Sequence, residues 1–382
     1  MMAFDLTGAQ VLLPGQGLVE TPLSFAEGHI TDGPVGRAVD LSGCLVLPGI
    51  VDLHGDGFER HVAPRRGAMT DPVEGIAAAA AELATQGITT AVMAQFYSWE
   101  GGLRGPDFAA QVMPAIAAAR GQVVPDLIPQ LRFETHLLDD YDKLPALLAA
   151  WQVPYLVFND HLAHDRLAAG RKPKQLTGQA LKAGRNPERH FEFLMELHAR
   201  GPQVPAALDA LCDRLRAQGV KLGSHDDHTP EDRAAWRARG VTIAEFPETQ
   251  AAAEAARAAG DAIVMGAPNL VRGGSHKGNV SALELVALGL CDALASDYHY
   301  PSPRRAALML ARTGVLEMEA AWNLVSAGPA RVLGLSDRGE LAPGKRADLL
   351  VLEAETGRVA AVFAAGQVAY LAGGLGARFL AG

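Results

Sequence analysis

Short apolar runs alternate with Ala-rich helical stretches from about residue 48 to residue 340. Eight of the runs read as strands: GIVDLHGD, GITTAVMAQF, DLIPQLRFETH, PYLVFNDH, VKLGSHDD, VTIAEFP, DAIVMGAP and DALASDY. Between them lie helix candidates such as DPVEGIAAAAAELATQ, PAALDALCDRLRAQ and NVSALELVALG. Eight β/α alternations in this length match a parallel (β/α)8 TIM barrel. An open doubly wound sheet is the alternative, but no GxGxxG opens a helix after the first strand. Helix entries are marked by Thr229-Pro230-Glu231-Asp232 and by Ser302-Pro303, each a hydroxyl cap followed by proline.

The two ends of the chain carry a different pattern. Residues 1–47 read as short strands between glycine turns, and 341–382 return to strands with ADLLVLE, RVAAVFAAG and QVAYLAGG. The prediction is one small β-sandwich domain built from both termini, flanking a barrel over 48–340. The polar segment near 162–205, containing LAAGRKPKQLTGQALKAGRNPERH, is too long for a plain connection and reads as a lid-like helical insertion.

Composition narrows the function classes. The chain has 382 residues, 49% hydrophobic and 20% charged, as in ordinary globular proteins, and a formal net charge of -9. That sign and the lack of a basic run speak against nucleic acid as a partner. No uncharged run reaches the roughly 18 residues of a membrane span, and no leader pattern is visible, so no membrane partner and a cytoplasmic location are expected. Cys44, Cys212 and Cys291 are scattered and read as buried thiols. Homo-oligomerisation is left open.

The chemistry gathers at the strand ends. His54 and Asp56 close the first strand, Glu134 and His136 the third, and Asp160 and His161 the fourth. His225 and Asp226 close the fifth, Glu245 the sixth and Asp297 the eighth. Barrel active sites assemble at the C-terminal ends of strands. His54 and Asp56 are two apart and so share one strand face. Imidazole and carboxylate without thiolate suit one or two divalent ions, zinc first, with manganese or iron as alternatives. The expected ligands are His54, Asp56, Glu134, His161, His225 and Asp297, with Glu134 as the bridging carboxylate. Asp297 is also the expected catalytic residue, taking a proton from the attacking water and returning it to the leaving group. A single histidine at a strand end is more often structural; ligation is read from four strand ends together. His136, His164 and His190 lack that support and read as structural. Asp160, Asp226 and Asp227 read as outer partners of the ligands or as solvated loop acids.

Gly-rich GAPNLVRGGSHKGN, with Asn269, Arg272, His276 and Lys277, can offer backbone N–H groups and cations to a phosphate. Arg60, His61, Arg65 and Arg66 form a second basic cluster, and Arg304 and Arg305 a third. Placed on one rim, they favour an anionic small-molecule substrate, the expected substrate contacts being Arg60, Asn269, Arg272, His276 and Lys277.

These motifs together resemble the amidohydrolase superfamily: LPGIVDLH leading into the first strand, a late SDY aspartate, and GELAPGKRADLLVLE re-entering the small domain. Within it, GSHDDHT, TIAEFPET, VMGAPNLVRGGSHKGNVSALEL and ASDYHYPSP are similar to PhnM-type hydrolases of phosphonate metabolism. The resemblance implies a metal-dependent diphosphohydrolase acting on α-D-ribose 1-methylphosphonate 5-triphosphate and releasing pyrophosphate. It implies metal binding by His54, Asp56, His161, His225 and Asp297, with VRGGSHKGN near the phosphates. The chain departs from the family pattern in HGDG where HTDN is usual, in NDHLAHDRLAAG after the fourth strand, and in AQFYSWEGG after the second. Gly55 and Gly57 mark where the chain leaves the family pattern, and so where the resemblance says least about the exact substrate. The rival readings are hydrolysis of a C–N bond in a cyclic or acyl amide, and a metal-free scaffold.

Overall fold

The computed structural model describes residues 2–65, 68–273 and 279–380. All eight runs read as barrel strands are strands: β1 (Ile50–Gly55), β2 (Ile88–Tyr97), β3 (Asp126–Glu134), β4 (Tyr155–Asn159), β5 (Lys221–His225), β6 (Ile243–Glu245), β7 (Ala262–Gly266) and β8 (Ala293–Ala295). They form one sheet in sequence order. The neighbours β3/β4, β4/β5, β5/β6 and β7/β8 pair in parallel, as connection through helices requires. A parallel bridge between Gly55 and Asp297 joins the first strand to the last, making an α/β TIM barrel. β2 is buried at all ten positions, which is why it reads as a continuous apolar run rather than an alternating one.

Packing divides the chain into two compact units: Met1–Val92 with Ala119–Leu127 and Ile263–Gly382, and Met93–Ala118 with Ile128–Ala262. In the first unit the chain termini build two sheets. Four strands (His29–Thr31, Leu23–Ala26, Phe4–Thr7, Ala38–Asp40) form one. Six (Gln367–Leu371, Val359–Ala364, Leu349–Glu353, Cys44–Pro48, Gln10–Leu13, Gly17–Glu20) form the other. Cys44–Pro48 pairs antiparallel with Leu349–Glu353, so the strand that leads into β1 is held by the chain's far end. Inward residues of both sheets, among them Phe4, Leu6, Phe25, Val46, Leu349 and Phe363, share one core.

In the second unit, three helices follow β4: α1 (His164–Ala168), α2 (Leu176–Lys182) and α3 (Pro187–Ala199). They close over a small core of Trp99, Leu162, Leu167, Leu176, Leu194 and Leu197. Asn186 caps α3 through Glu188 and Arg189, with Pro187 in its first turn. Thr229 caps the helix Pro230–Ala238 in a capping box with Asp232, as its sequence predicts. Ser302 does not cap: Pro301 precedes it at the cap position, and the Ser302 hydroxyl donates to the His299 carbonyl at 2.6 Å. Among the described residues no helix is long and apolar enough to cross a membrane.

Candidate active site

In the first unit, Asp297 is seated by main-chain bonds. Its N–H donates to the His54 carbonyl at 2.8 Å, and its carbonyl accepts from Asp56 N–H at 3.0 Å. These bonds bring His54, Asp56 and Asp297, three of the expected ligands, to one edge. The clamp beneath them is Asp52, which the sequence reading did not single out. Its carboxylate is buried and accepts from Ser296 N–H at 2.8 Å and Ser296 Oγ at 2.5 Å. Burial pushes the Asp52 carboxyl above the usual carboxylate range, while the two Ser296 bonds pull the other way. The period-2 series 52, 54, 56 in VDLHGD was the available signal.

The same packing bears on Gly55 and Gly57. A Cβ on Gly55 would stand 2.8 Å from Asp52 Oδ2 and 3.0 Å from Ser296 Oγ. One on Gly57 would stand 2.8 Å from Arg60 NH1 and 3.2 Å from the Tyr298 carbonyl. The Asp52–Ser296 clamp therefore leaves little space for a side chain at Gly55, whereas at Gly57 the nearest atom is the movable end of Arg60.

In the second unit, Glu134, His161 and His225 converge. Glu134 is fully buried and accepts from Trp99 Nε1 at 3.0 Å, from His161 N–H at 3.2 Å and from His161 Nδ1. A carboxylate on Nδ1 makes that nitrogen the protonated one and leaves Nε2 as the donor atom. Burial alone would depress the His161 imidazole, but the Glu134 charge and hydrogen bond outweigh it and hold its pKa above the ordinary value. The rings of His161 and His225 stand 6.3 Å apart, edge to face. His225 Nδ1 lies 3.2 Å from Asp226 Oδ1, and its Nε2 accepts from Arg132 at 3.0 Å. The Arg132 guanidinium carbon lies over the Phe96 ring, 3.8 Å from its centroid. Arg132 was also missed, although it precedes Glu134 by two in the same strand.

Two further strand-end groups divide by role. Glu245 is buried and accepts from Tyr155 Oη at 2.5 Å and Gln130 Nε2 at 3.1 Å. Asp227 is no solvated loop acid: it is buried and accepts from Ser224 at 2.7 Å and Arg233 at 2.8 Å.

Backbone strain marks the same places. Asp226, Phe246 and Asp297, the residues just past β5, β6 and past Ser296 beyond β8, have φ of 62°, 55° and 54°. Left-handed backbone costs a non-glycine residue about 1–2 kcal/mol, and such outliers gather at functional sites. Phe246 uses that turn to set its ring 4.9 Å from His225, edge to face.

The basic residues are placed less uniformly. Arg60 pairs with Glu82 at 2.5 Å and donates to the Tyr298 carbonyl at 3.2 Å, while His61 meets the other Glu82 oxygen at 2.6 Å. Asn269 Oδ1 accepts from Ala282 N–H at 3.2 Å, and Arg272 lies 5.8 Å from the Tyr298 ring centroid. Arg304 is tied to the Gly357 carbonyl at 2.7 Å and to Gln86 at 3.3 Å, a structural use rather than a place on an anion-facing rim. His276, Lys277 and Arg66 lie outside the described residues.

The donor set fits a divalent ion of the zinc, manganese or iron kind. His161, His225 and Asp226 offer donor atoms within 4.8 Å of one another, and so do Glu100, Glu134 and His161. Neutral imidazole with carboxylate, and no thiolate, is the ligand chemistry those ions take.

Comparison with known proteins agrees with this architecture. Residues 60–369 match the model of the Amidohydrolase family. A curated relative, alpha-D-ribose 1-methylphosphonate 5-triphosphate diphosphatase of Escherichia coli (strain K12), is 33% identical over 339 residues, covering 86% of this chain and 87% of the relative. Among solved structures, N-acetylglucosamine-6-phosphate deacetylase from Pasteurella multocida superposes with a TM-score of 0.64 at 10% identity, covering 96% of this chain and 99% of that one. A putative prolidase from Bifidobacterium longum gives 0.63 at 17% identity, with coverages of 96% and 94%. At those identities the two structures speak to the fold alone.

Proposed function

Since the chain belongs to the amidohydrolase superfamily and is a hydrolase of the PhnM type, we propose that it is a metal-dependent diphosphohydrolase. Its substrate in this reading is a ribosyl methylphosphonate 5-triphosphate, its product pyrophosphate, and its place phosphonate catabolism. The observation that carries the reading is the likeness to the diphosphatase across most of both chains.

His54, Asp56, Glu134, His161, His225 and Asp297 are the proposed ligands of one or two ions, zinc first. A divalent ion supplies Lewis-acid charge that makes water a better nucleophile and stabilises negative charge on phosphoryl oxygens. The protein's own groups do the rest. Glu134 holds the His161 ring in one orientation and one tautomer. Asp297 takes the proton of the attacking water on a carboxylate oxygen and returns it to the departing pyrophosphate. The first-strand clamp of Asp52 on Ser296 keeps that carboxylate in register. Arg60, Asn269, Arg272, His276 and Lys277 are the proposed contacts to the phosphates, as donors and cations.

Hydrolysis of a C–N bond, the commoner reaction of the superfamily, is the second reading, and the tight packing of Gly55 removes only one of the departures that favoured it. The test is product analysis by phosphorus NMR. The zinc-loaded protein is given α-D-ribose 1-methylphosphonate 5-triphosphate, and in parallel lactams and N-acyl amino acids. Pyrophosphate with the ribosyl 5-phosphate is the expected outcome. Turnover of an amide with the triphosphate left intact overturns the proposal, and elemental analysis finding no divalent metal after zinc loading favours a scaffold.

A further inference from the structure

A second group of imidazoles in the second unit is not used by the chemistry above. His136 lies two residues past the end of β3, Asp160 and His164 bracket the turn between β4 and α1, and His198 is in the last turn of α3. His164 Nε2 stands 3.1 Å from Asp160 Oδ1, and His136 Nδ1 stands 3.5 Å from the same oxygen. One donor atom from each of the three lies within 4.8 Å of the others. The second nitrogen of His164, Nδ1, is 3.0 Å from His198 Nδ1. The ring centroids of His136 and His164 are 4.9 Å apart, and those of His164 and His198 are 5.2 Å apart.

This geometry is that of a cation site. Donors bound at about 2.0–2.1 Å to a tetrahedral ion stand roughly 3.3 Å from one another, and the observed separations fall on either side of that edge. Two imidazoles with one carboxylate select zinc or a similar ion over magnesium or calcium, which take oxygen. A carboxylate at the centre of the group repels an anion from the same place. His198 supplies the hydrogen bond that a metal-bound imidazole makes through its other nitrogen.

The location gives such an ion a use. The helices after β4 rest on a small core of six buried side chains edged by the partly buried Leu137, Phe191, Phe193 and Met195. A core that small gains from a staple, and metal binding adds its free energy to folding.

We propose that His136, Asp160 and His164 bind a zinc ion, with His198 as positioning residue, and that this ion fastens the turn after β4 and helix α3 to the end of β3. The site is additional to the ions proposed for catalysis and does not depend on the reaction assigned to them. The reading of His136 and His164 as structural histidines is thereby changed into one of ligands.

The test is zinc stoichiometry of the full-length protein, loaded with zinc alone and dialysed. The His136→Ala/His164→Ala double variant should carry one zinc fewer per chain than the wild type. Trypsin should then cut at Lys174 and Lys182 at least tenfold faster, whether or not zinc is added. Asp160→Asn keeps the shape and most hydrogen bonds, so with unchanged circular dichroism it should lose the same zinc. His198→Ala should weaken zinc at this site about 10- to 100-fold without removing it. His54→Ala should lose a different zinc and keep the trypsin resistance; if it loses none, the catalytic-metal reading fails and this one stands. A folded double variant or Asp160→Asn variant holding as much zinc as the wild type overturns the proposal, leaving a hydrogen-bonded cluster only.

Discussion

In the β-sandwich, Phe4, Phe25, Phe363 and Phe379 meet ring to ring, with centroids between 5.1 and 6.0 Å apart. In β3 and β6 the side chains are equally hidden, yet Gln130, Arg132, Glu134 and Glu245 are polar. The first region is stabilised by area removed from water and by ring geometry, and any substitute of similar volume serves it in part. In the second, each polar group depends on a named partner: Tyr155 and Gln130 on Glu245, Trp99 and His161 on Glu134. Burying such groups costs free energy unless every bond is made, so the strand ends are arranged for chemistry at the expense of stability. Three left-handed non-glycine residues in the barrel's strand-end turns point the same way.

The sharpest way to separate the two regions is a substitution that removes function and spares the fold. Asp297→Asn should lower turnover by about 10²–10⁴-fold, the range for a lost proton-transfer group. Asparagine tolerates the left-handed backbone at this position, so the melting temperature should move by only a few degrees. Unchanged turnover removes Asp297 from the reaction.

Opposite behaviour is expected in the sandwich. Phe363→Ala deletes a ring packed against three others and should cost about 3–5 kcal/mol in denaturant unfolding. The turnover of the molecules that remain folded should be unchanged. A comparable loss with a different cause is expected for Arg233→Met. Arg233 is buried and donates to Ser224 at 2.6 Å and Asp227 at 2.8 Å, with Asp261 3.2 Å away. Burial raises the Asp227 pKa and the guanidinium opposes that rise. Removing the cation strands a buried carboxylate, so about 3–5 kcal/mol should be lost above pH 7 and part of it recovered as pH falls and Asp227 takes up a proton. Loss independent of pH sinks the charge explanation.

The smallest effect concerns His190. It is buried between Trp99 and Phe193, with Arg185 3.4 Å from its Nδ1. Burial first, then the Arg185 charge, hold its pKa below the ordinary 6.5. The unfolded chain therefore binds the proton more readily than the folded one. Stability is whole above pH 6.5 and falls as pH drops below it, with a limiting slope of roughly 1.4 kcal/mol per pH unit. His190→Phe should flatten that acid limb in urea titrations at several pH values; an unaltered limb assigns it to other groups.

Much of this was legible before any coordinates. The eight barrel strands followed from apolar runs and turn residues, and the strand-rich character of both chain ends from their glycines. His54 with Asp56 followed from the two-residue period of a strand. Long apolar runs and strand periods are local properties, and local properties are written in order along the chain. Asp52 and Arg132 obeyed the same period and still escaped notice, because a polar residue inside an apolar run acquires meaning only from its partner. Ser296 is 244 residues from Asp52, and His225 is 93 from Arg132.

By itself, then, the amino-acid sequence determined that this is a barrel with a terminal sandwich, rich in histidine and carboxylate residues at its strand ends, and to which family it belongs. Only the tertiary structure decided which acids are paired and which are exposed, how closely Gly55 is packed against Asp52 and Ser296, and that His136, Asp160 and His164 meet. The reason is physical: hydrophobic period and turn chemistry act between near neighbours, whereas desolvation, charge pairing and ligand geometry act between atoms that the fold alone brings within a few ångströms.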